Sequence, residues 1–278
     1  MRSSDATHDH RMGGAADTIR GVLRRGLLLL LAAAFGYSFY LVAGLPSRTS
    51  VRSLATRNPG KTGVMRQREA EAKTLGRRPR FEQSWVPLER ISRELIHAVV
   101  AAEDQKFFGH DGVDWEAIRG SIQKDIERRQ LAVGGSTISQ QLVKNLYFTT
   151  DRSLTRKLRE LLVVRWLESD VRKTRILELY LNVIEWGDGV YGCEAAARRY
   201  YGRSAAELTA DEAAGLVAML PNPRRINPRV SPARHARAQQ RVLWLMARAG
   251  YLRRDLGYSE PTPEPLDESG PEPTEPIP

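Results

Sequence analysis

A mainly α-helical domain behind one N-terminal membrane span is the fold class this sequence predicts, and three observations predict it. Residues 26–45, GLLLLLAAAFGYSFYLVAGL, hold no charge. Residues 81–252 hold a series of capping residues, each followed by an apolar stripe of helical period. Alternating polar and apolar runs bounded by hairpin turns are scarce.

As a helix rising ~1.5 Å per residue, the uncharged run matches a hydrocarbon core of ~30 Å. Arg20, Arg24 and Arg25 precede it, so residues 1–25 form a cytoplasmic arm and the bulk of the chain lies outside. Arg48, Arg52, Arg57 and Lys61 follow the span and weaken that asymmetry. A cleaved signal peptide is the rival reading, but the run is longer than a signal core and ends without a small-x-small site. Residues 46–80, rich in Arg, Lys, Gly and Ser, read as a linker. Residues 253–278 mix prolines with acids, a composition that cannot bury a core and predicts a disordered tail.

The domain at 81–252 divides at its caps. Ser92 opens a helix running to Glu103-Asp104. Asp114 opens another, with Trp115, Ile118, Ile122 and Ile126 on its apolar face. Thr137 and Gln140 have capping-box spacing before the stripe Ile138, Leu142, Leu146. Leu154, Leu158, Leu161 and Leu162 line one face of a further helix. Leu177, Tyr180 and Leu181 read as core, and Cys193, the single cysteine, as a small buried residue. Thr209 with Glu212 caps a helix that stops before Pro221, and Ser231-Pro232 opens a last one that Gly250 closes.

The balance of 43 Lys and Arg against 33 Asp and Glu, net +10, suits anionic partners: lipid headgroups, diphosphates or nucleic acid. One cysteine excludes an intrachain disulfide.

Two stretches carry chemistry. EDQKFFGHDG at 103–112 opens on an acidic pair. A carboxylate beside an alcohol can take its proton as a bond forms, so Glu103 is a candidate general base. Its bland alternative is a helix-end Glu satisfying a neighbour. Asp104 either tunes Glu103 or pairs with a base. Phe107, His110 and Gly112 shape a turn more readily than they do chemistry. GGSTISQQLVKN at 134–145 then places Thr137, Gln141 and Lys144 on one helix face, after glycines that let the backbone approach closely. Free N–H groups at that helix start suit a phosphate, and Arg152 and Arg156 add cations of matching geometry. A capped helix with a solvated polar stripe is the alternative. Glu160 stands one turn after Arg156, as either an ordinary i, i+4 ion pair or a second functional carboxylate. Ser121-x-x-Lys124 and Lys61-Thr62-Gly63 mimic penicillin-binding signatures, but in reversed order and with no Ser-Asp-Asn.

EDQKFFGHDGVDW (103–115), GGSTISQQLVKNLYF (134–148), RSLTRKLRE (152–160) and KTRILELYLNVIEWGDGVYGCEAAARRYYG (173–202) together resemble the successive motifs of glycosyltransferase family 51, the peptidoglycan glycosyltransferases. Glu185 through Gly192 is most similar to the monofunctional biosynthetic transglycosylases. Ser139 stands where threonine is more usual, which keeps the hydroxyl. The resemblance implies a lysozyme-like helical fold with a smaller jaw against the membrane. It implies lipid II and a growing glycan strand as substrates, joined with inversion and loss of undecaprenyl diphosphate, and no transpeptidase activity. It makes Glu103 the base and Glu160 the second carboxylate. It places Asp104, Phe107, His110, Ser136, Thr137, Gln141, Lys144, Asn145, Arg152 and Arg156 around the substrate. Magnesium or manganese is compatible with a diphosphate but no ligand cluster demands it. Partners are the bilayer and cell-wall synthesis or division proteins, not nucleic acid, and the location is the bacterial inner membrane with the domain on the periplasmic side. Leu146, Tyr147 and Phe148 are candidates to enter the membrane interface, or else to pack in the core. Three other classes compete: a lytic enzyme, which has no need of the cations; a basic DNA-binding protein, disfavoured by the span; and an inactive scaffold.

Overall fold

The computed structural model describes residues 9–116, 119, 135–151 and 153–252, with side chains from residue 21 onward. Helix α1 (Asp9–Ala43) contains most of the uncharged run and starts well before it. Its Leu27, Leu29, Leu30, Phe35, Phe39 and Val42 are exposed, and it is long and apolar enough to cross a membrane. An apolar cylinder left uncovered in this way is consistent with a single-pass membrane anchor.

The segment 46–80 departs from the expected linker. It folds into α2 (Arg48–Ser53), capped by Ser47, and α3 (Gly63–Thr74), capped by Thr62. Val51, Leu54, Val64 and Met65 are buried. The apolar residues are too few and too clustered to show a period, so only their tertiary partners reveal them. The Lys-Thr-Gly triplet is the start of α3: Thr62 accepts from the Met65 amide and Lys61 pairs with Glu69 at 2.7 Å. Ser121 and Lys124 lie outside the described residues.

Strand β1 (Glu82–Gln83) precedes α4 (Arg93–Glu103), which Ser92 caps. After a 3-10 turn at Phe107–Gly109 come α5 (Ile138–Tyr147), capped by Thr137, and α6 (Leu154–Asp170), capped by Ser153. Then follow α7 (Lys173–Val183), β2 (Glu185–Gly187), β3 (Val190–Tyr191), α8 (Cys193–Tyr201), α9 (Ala210–Val217) and α10 (Pro232–Arg248). The sheet order is β1-β3-β2, with β1 parallel and β2 antiparallel to β3. Gly250, at φ +83°, follows α10, and the Thr209–Glu212 capping box starts α9. Of the helix expected after Asp114, Ile118, Ile122 and Ile126 lie outside the described residues, as do 1–8 and the acidic tail 253–278.

Helix α4 packs between α9 and α10, and α5 against α3, α6 and α7. The stripe Ile138, Leu142, Leu146 is buried, as are Leu177, Tyr180, Leu181 and Cys193. Each large apolar side chain so buried stabilises the fold by ~1.5–3 kcal/mol. Leu146 therefore belongs to the core, and Tyr147 and Phe148, half-buried, pack against it. The leucines of α6 behave otherwise. Leu154, Leu158 and Leu162 point outward, whereas Val163, Val164 and Leu167 face the core together with Glu160.

Candidate active site

Glu103 is the last residue of α4. Leu95, Ala98, Val99, Val100 and Ala101 anchor that helix in the core, so its final side chain is delivered to a cleft of about 650 Å³. Gly135, Ser136, Thr137 and Gln141 from the start of α5 form one wall, Lys106, Asp114 and Glu116 another, and Arg241 and Leu245 of α10 a third.

The Gln141 side-chain amide donates to Glu103 Oε2 at 2.5 Å. The buried Tyr180 hydroxyl donates to Gln141 Oε1 at 3.1 Å, which turns the NH2 toward Glu103. Burial pushes the Glu103 carboxyl above the usual carboxylate range; the Gln141 bond and Lys144 pull it back, and Asp104 adds to the rise. Its hydrogen-bond partner is a neutral amide, and the carboxyl holds its proton more tightly than an ordinary glutamate.

Asp104 turns the other way. Its Oδ1 faces His110 Nε2 at 2.9 Å, and its Oδ2 accepts from the Ile138 amide at 3.1 Å. His110 Nδ1 accepts from the Gly112 amide at 3.0 Å, so the ring proton is on Nε2 and is donated to Asp104. Thr137 Oγ1 donates to the Gly112 carbonyl at 2.7 Å and accepts from the Gln140 amide at 3.2 Å. Gly112 sits at φ +84°, where a side chain would be strained and its Cβ would fall 2.4 Å from Val164. Asp104, His110, Gly112 and Thr137 thus weld the end of α4 to the start of α5.

This weld narrows the set of free amides expected at the α5 N-terminus: those of Ile138 and Gln140 are engaged by Asp104 and Thr137. Nor does the Thr137 hydroxyl remain free for a ligand, although its residue lines the cleft. Phe107 is fully buried beneath Lys173, with the ammonium 4.5 Å from the ring centre, and does not line the cleft. Asn145 is buried and donates to the Gln141 carbonyl at 2.8 Å. Both hold the site from behind.

A second carboxylate and a group of cations lie along α5 and α6. Glu160 is buried and pairs with Arg156, with Lys157 Nζ at 3.6 Å from its other oxygen. Lys157 also donates to Ser136 Oγ at 3.2 Å and Gln140 Oε1 at 3.0 Å. Burial pulls the Lys144 ammonium below the usual lysine range, opposed by Glu160 and Glu103 and assisted by Arg156 and Lys157. Lys144 is therefore within electrostatic reach of both carboxylates, yet among the described residues its ammonium has no hydrogen-bond or ion-pair partner. Gly134 and Arg152 lie outside the described residues. The sequence does not place Lys157 or Tyr180 at the site. The i, i+3 spacing of Lys157 to Glu160 was a usable signal. Tyr180 looked like core, and the clue was that a buried phenol needs a polar partner.

Glu185 and Trp186 are buried away from this cleft, with Arg68 pairing to Glu185 at 3.0 Å. Among the described residues no three His, Cys, Asp or Glu side chains converge as a metal cluster would require.

A raised carboxyl at a helix end, a buried ion-paired carboxylate and a lysine with no ion-pair partner among the described residues are the groups that acid–base chemistry on an anionic substrate needs. The chain belongs to the Transglycosylase family, which residues 69–247 match. It is 47% identical over 203 residues to a biosynthetic peptidoglycan transglycosylase of Dechloromonas aromatica, covering 73% of this chain and 87% of the relative. A protein of that name from Azoarcus sp. is 43% identical over 225 residues, 80% of this chain and 95% of the relative. Another from Herminiimonas arsenicoxydans is 47% identical over 167 residues, covering 60% and 72%.

Proposed function

We propose that this protein polymerises lipid II into peptidoglycan glycan strands, with Glu103 as general base and Lys144 and Arg156 facing the diphosphate. The observation that carries the reading is the Tyr180–Gln141–Glu103 relay at the floor of the cleft. The acceptor 4-hydroxyl oxygen attacks the donor anomeric carbon while its proton passes to the Glu103 carboxylate. The bond from that carbon to the diphosphate oxygen breaks, its electron pair leaves with undecaprenyl diphosphate, and the configuration inverts. A base with a raised proton affinity takes the proton more readily than an ordinary glutamate. Negative charge grows on the leaving diphosphate, and preorganised cations there lower the barrier. Glu160 keeps Arg156 and Lys157 in place through its two ion pairs.

No protein cage for a divalent ion is formed by these side chains, because Asp104 is committed to His110 and Ile138 and Glu160 to its cations. Magnesium or manganese would be held chiefly by the substrate's own phosphates. The reading places α1 in the bacterial inner membrane, the domain on the periplasmic side, and the outward leucines of α6 against the lipid. Cell-wall synthesis or division proteins are the partners it calls for.

The test is polymer formation from purified lipid II by the detergent-solubilised protein, beside Glu103→Gln. Glycan chains from the wild type alone support the assignment. Chains from both would remove Glu103 from its role, and chains from neither folded preparation would overturn the reaction.

A further inference from the structure

Helix α1 meets the domain through α6, the helix that carries Glu160, and the contact is specific. The Arg159 guanidinium donates to the Leu41 carbonyl at 3.1 Å and the Tyr40 carbonyl at 2.5 Å. It also lies 4.6 Å from the centre of the Tyr40 ring. One turn earlier on both helices, the Tyr37 and Thr155 hydroxyls are 3.3 Å apart. Gly44 makes the space: a Cβ there would sit 2.1 Å from Arg159 Cζ. At the far end of α6, Arg48 at the start of α2 pairs with Asp170 at 3.1 Å.

Three physical effects converge on Arg159. The last carbonyls of a helix lack intrahelical donors, and they carry the negative end of its dipole. At the edge of a bilayer water meets that need incompletely. A guanidinium offers several donors in one plane and an aromatic stacking face, which a lysine cannot reproduce. Arg159 adjoins Glu160 in sequence, and Arg156 lies one turn before, so the same helix holds the membrane helix with one residue and the catalytic cations with others.

We propose that Arg159 is a positioning residue: it clamps the C-terminal turn of α1 to α6, with Gly44 as its seat, and so fixes the height and orientation of the cleft above the bilayer. This rests on the reading that the substrate's lipid stays in the membrane while its head group enters the cleft. A site at the wrong height loses alignment with a substrate that cannot follow it, and small misplacements of reacting groups cost large factors in rate. A substrate free in solution has no such constraint.

The experiment compares wild type, Arg159→Met, Gly44→Ala and the double variant as full-length proteins in two settings. The first is vesicles with co-reconstituted lipid II; the second is detergent with a short-chain, water-soluble analogue of the same diphospho-disaccharide. Both single variants are expected to slow polymerisation in vesicles by roughly 10-fold or more while changing the detergent rate by less than about 2-fold. The double variant is expected to be no slower than the worse single, since both remove one contact. Cys193 is buried, so Val230→Cys, at an exposed position, gives a unique label in each protein. Energy transfer from it to acceptor lipids should report a broader height distribution in the clamp variants. Equal loss in vesicles and detergent, or unchanged vesicle rates and heights, overturns the clamp. Polymer in neither setting from the wild type overturns the functional reading instead.

Discussion

The end of α4 and the second turn of α6 each present a carboxylate, and their surroundings are opposite. Glu103 faces a side-chain amide oriented by a phenol, and burial leaves it holding its proton more tightly than a free glutamate would. Glu160 faces Arg156 and Lys157. Neutral donors leave a carboxylate basic, whereas adjacent cations satisfy its charge and turn it into a scaffold for them. On the proposed function, chemically identical groups divide the work by environment: Glu103 takes the proton, and Glu160 arranges positive charge for the leaving group.

Replacing Glu103 by Gln tests that contrast most strongly. Polymerisation is expected to fall by about 100- to 10,000-fold, the span typical of a lost general base. Stability should move the other way. Because burial raises the Glu103 carboxyl, the native state binds that proton more tightly than the unfolded chain, and ionisation subtracts stability as pH rises through the raised value. Glutamine never ionises, so at neutral pH the variant should melt at or above the wild-type temperature. A clear drop in Tm would show that Glu103 is structural.

Glu160→Gln should do the reverse, keeping more activity and costing stability. Removing one member of a buried ion pair costs up to ~3–5 kcal/mol, and less here because Lys157 is partly exposed and screened. Calorimetry with steady-state kinetics checks it, with KM rising more than kcat falls. Loss of kcat equal to that of the Glu103 variant would erase the division between the two.

Asp104→Asn probes the weld between α4 and α5. It weakens the acceptor for His110 and the Ile138 amide, and about 1–3 kcal/mol of destabilisation is expected in a denaturant titration. Gln141→Leu has the subtlest effect. The Gln141 bond pulls the Glu103 carboxyl down, so losing it should move the acid limb of the kcat/KM profile to higher pH. A limb that stays in place would separate the profile from Glu103. The alkaline limb should lie below the ordinary lysine range and follow Lys144.

Local chemistry was enough for much of this protein. The caps Ser92, Thr137 and Thr209, the stripe Ile138, Leu142, Leu146 and the uncharged run each depend on neighbours a few residues away, so spacing along the chain carries the information. The acidic pair and the cation-bearing segments were legible for the same reason. What Asp104, Thr137 and Asn145 touch was not, because each polar group has several chemically equivalent partners and only distant segments select among them. The sequence determined which residue types stand at the cleft, where α4, α5, α9 and α10 begin and that one N-terminal helix is long and apolar enough to cross a membrane. Tertiary structure alone decided that the Ile138 and Gln140 amides of α5 are closed by Asp104 and Thr137, that Leu154, Leu158 and Leu162 of α6 face outward, that α2 and α3 join the domain and that Arg159 meets the end of α1. Those outcomes depend on burial and on contacts between segments far apart along the chain, and neither is encoded in any local period.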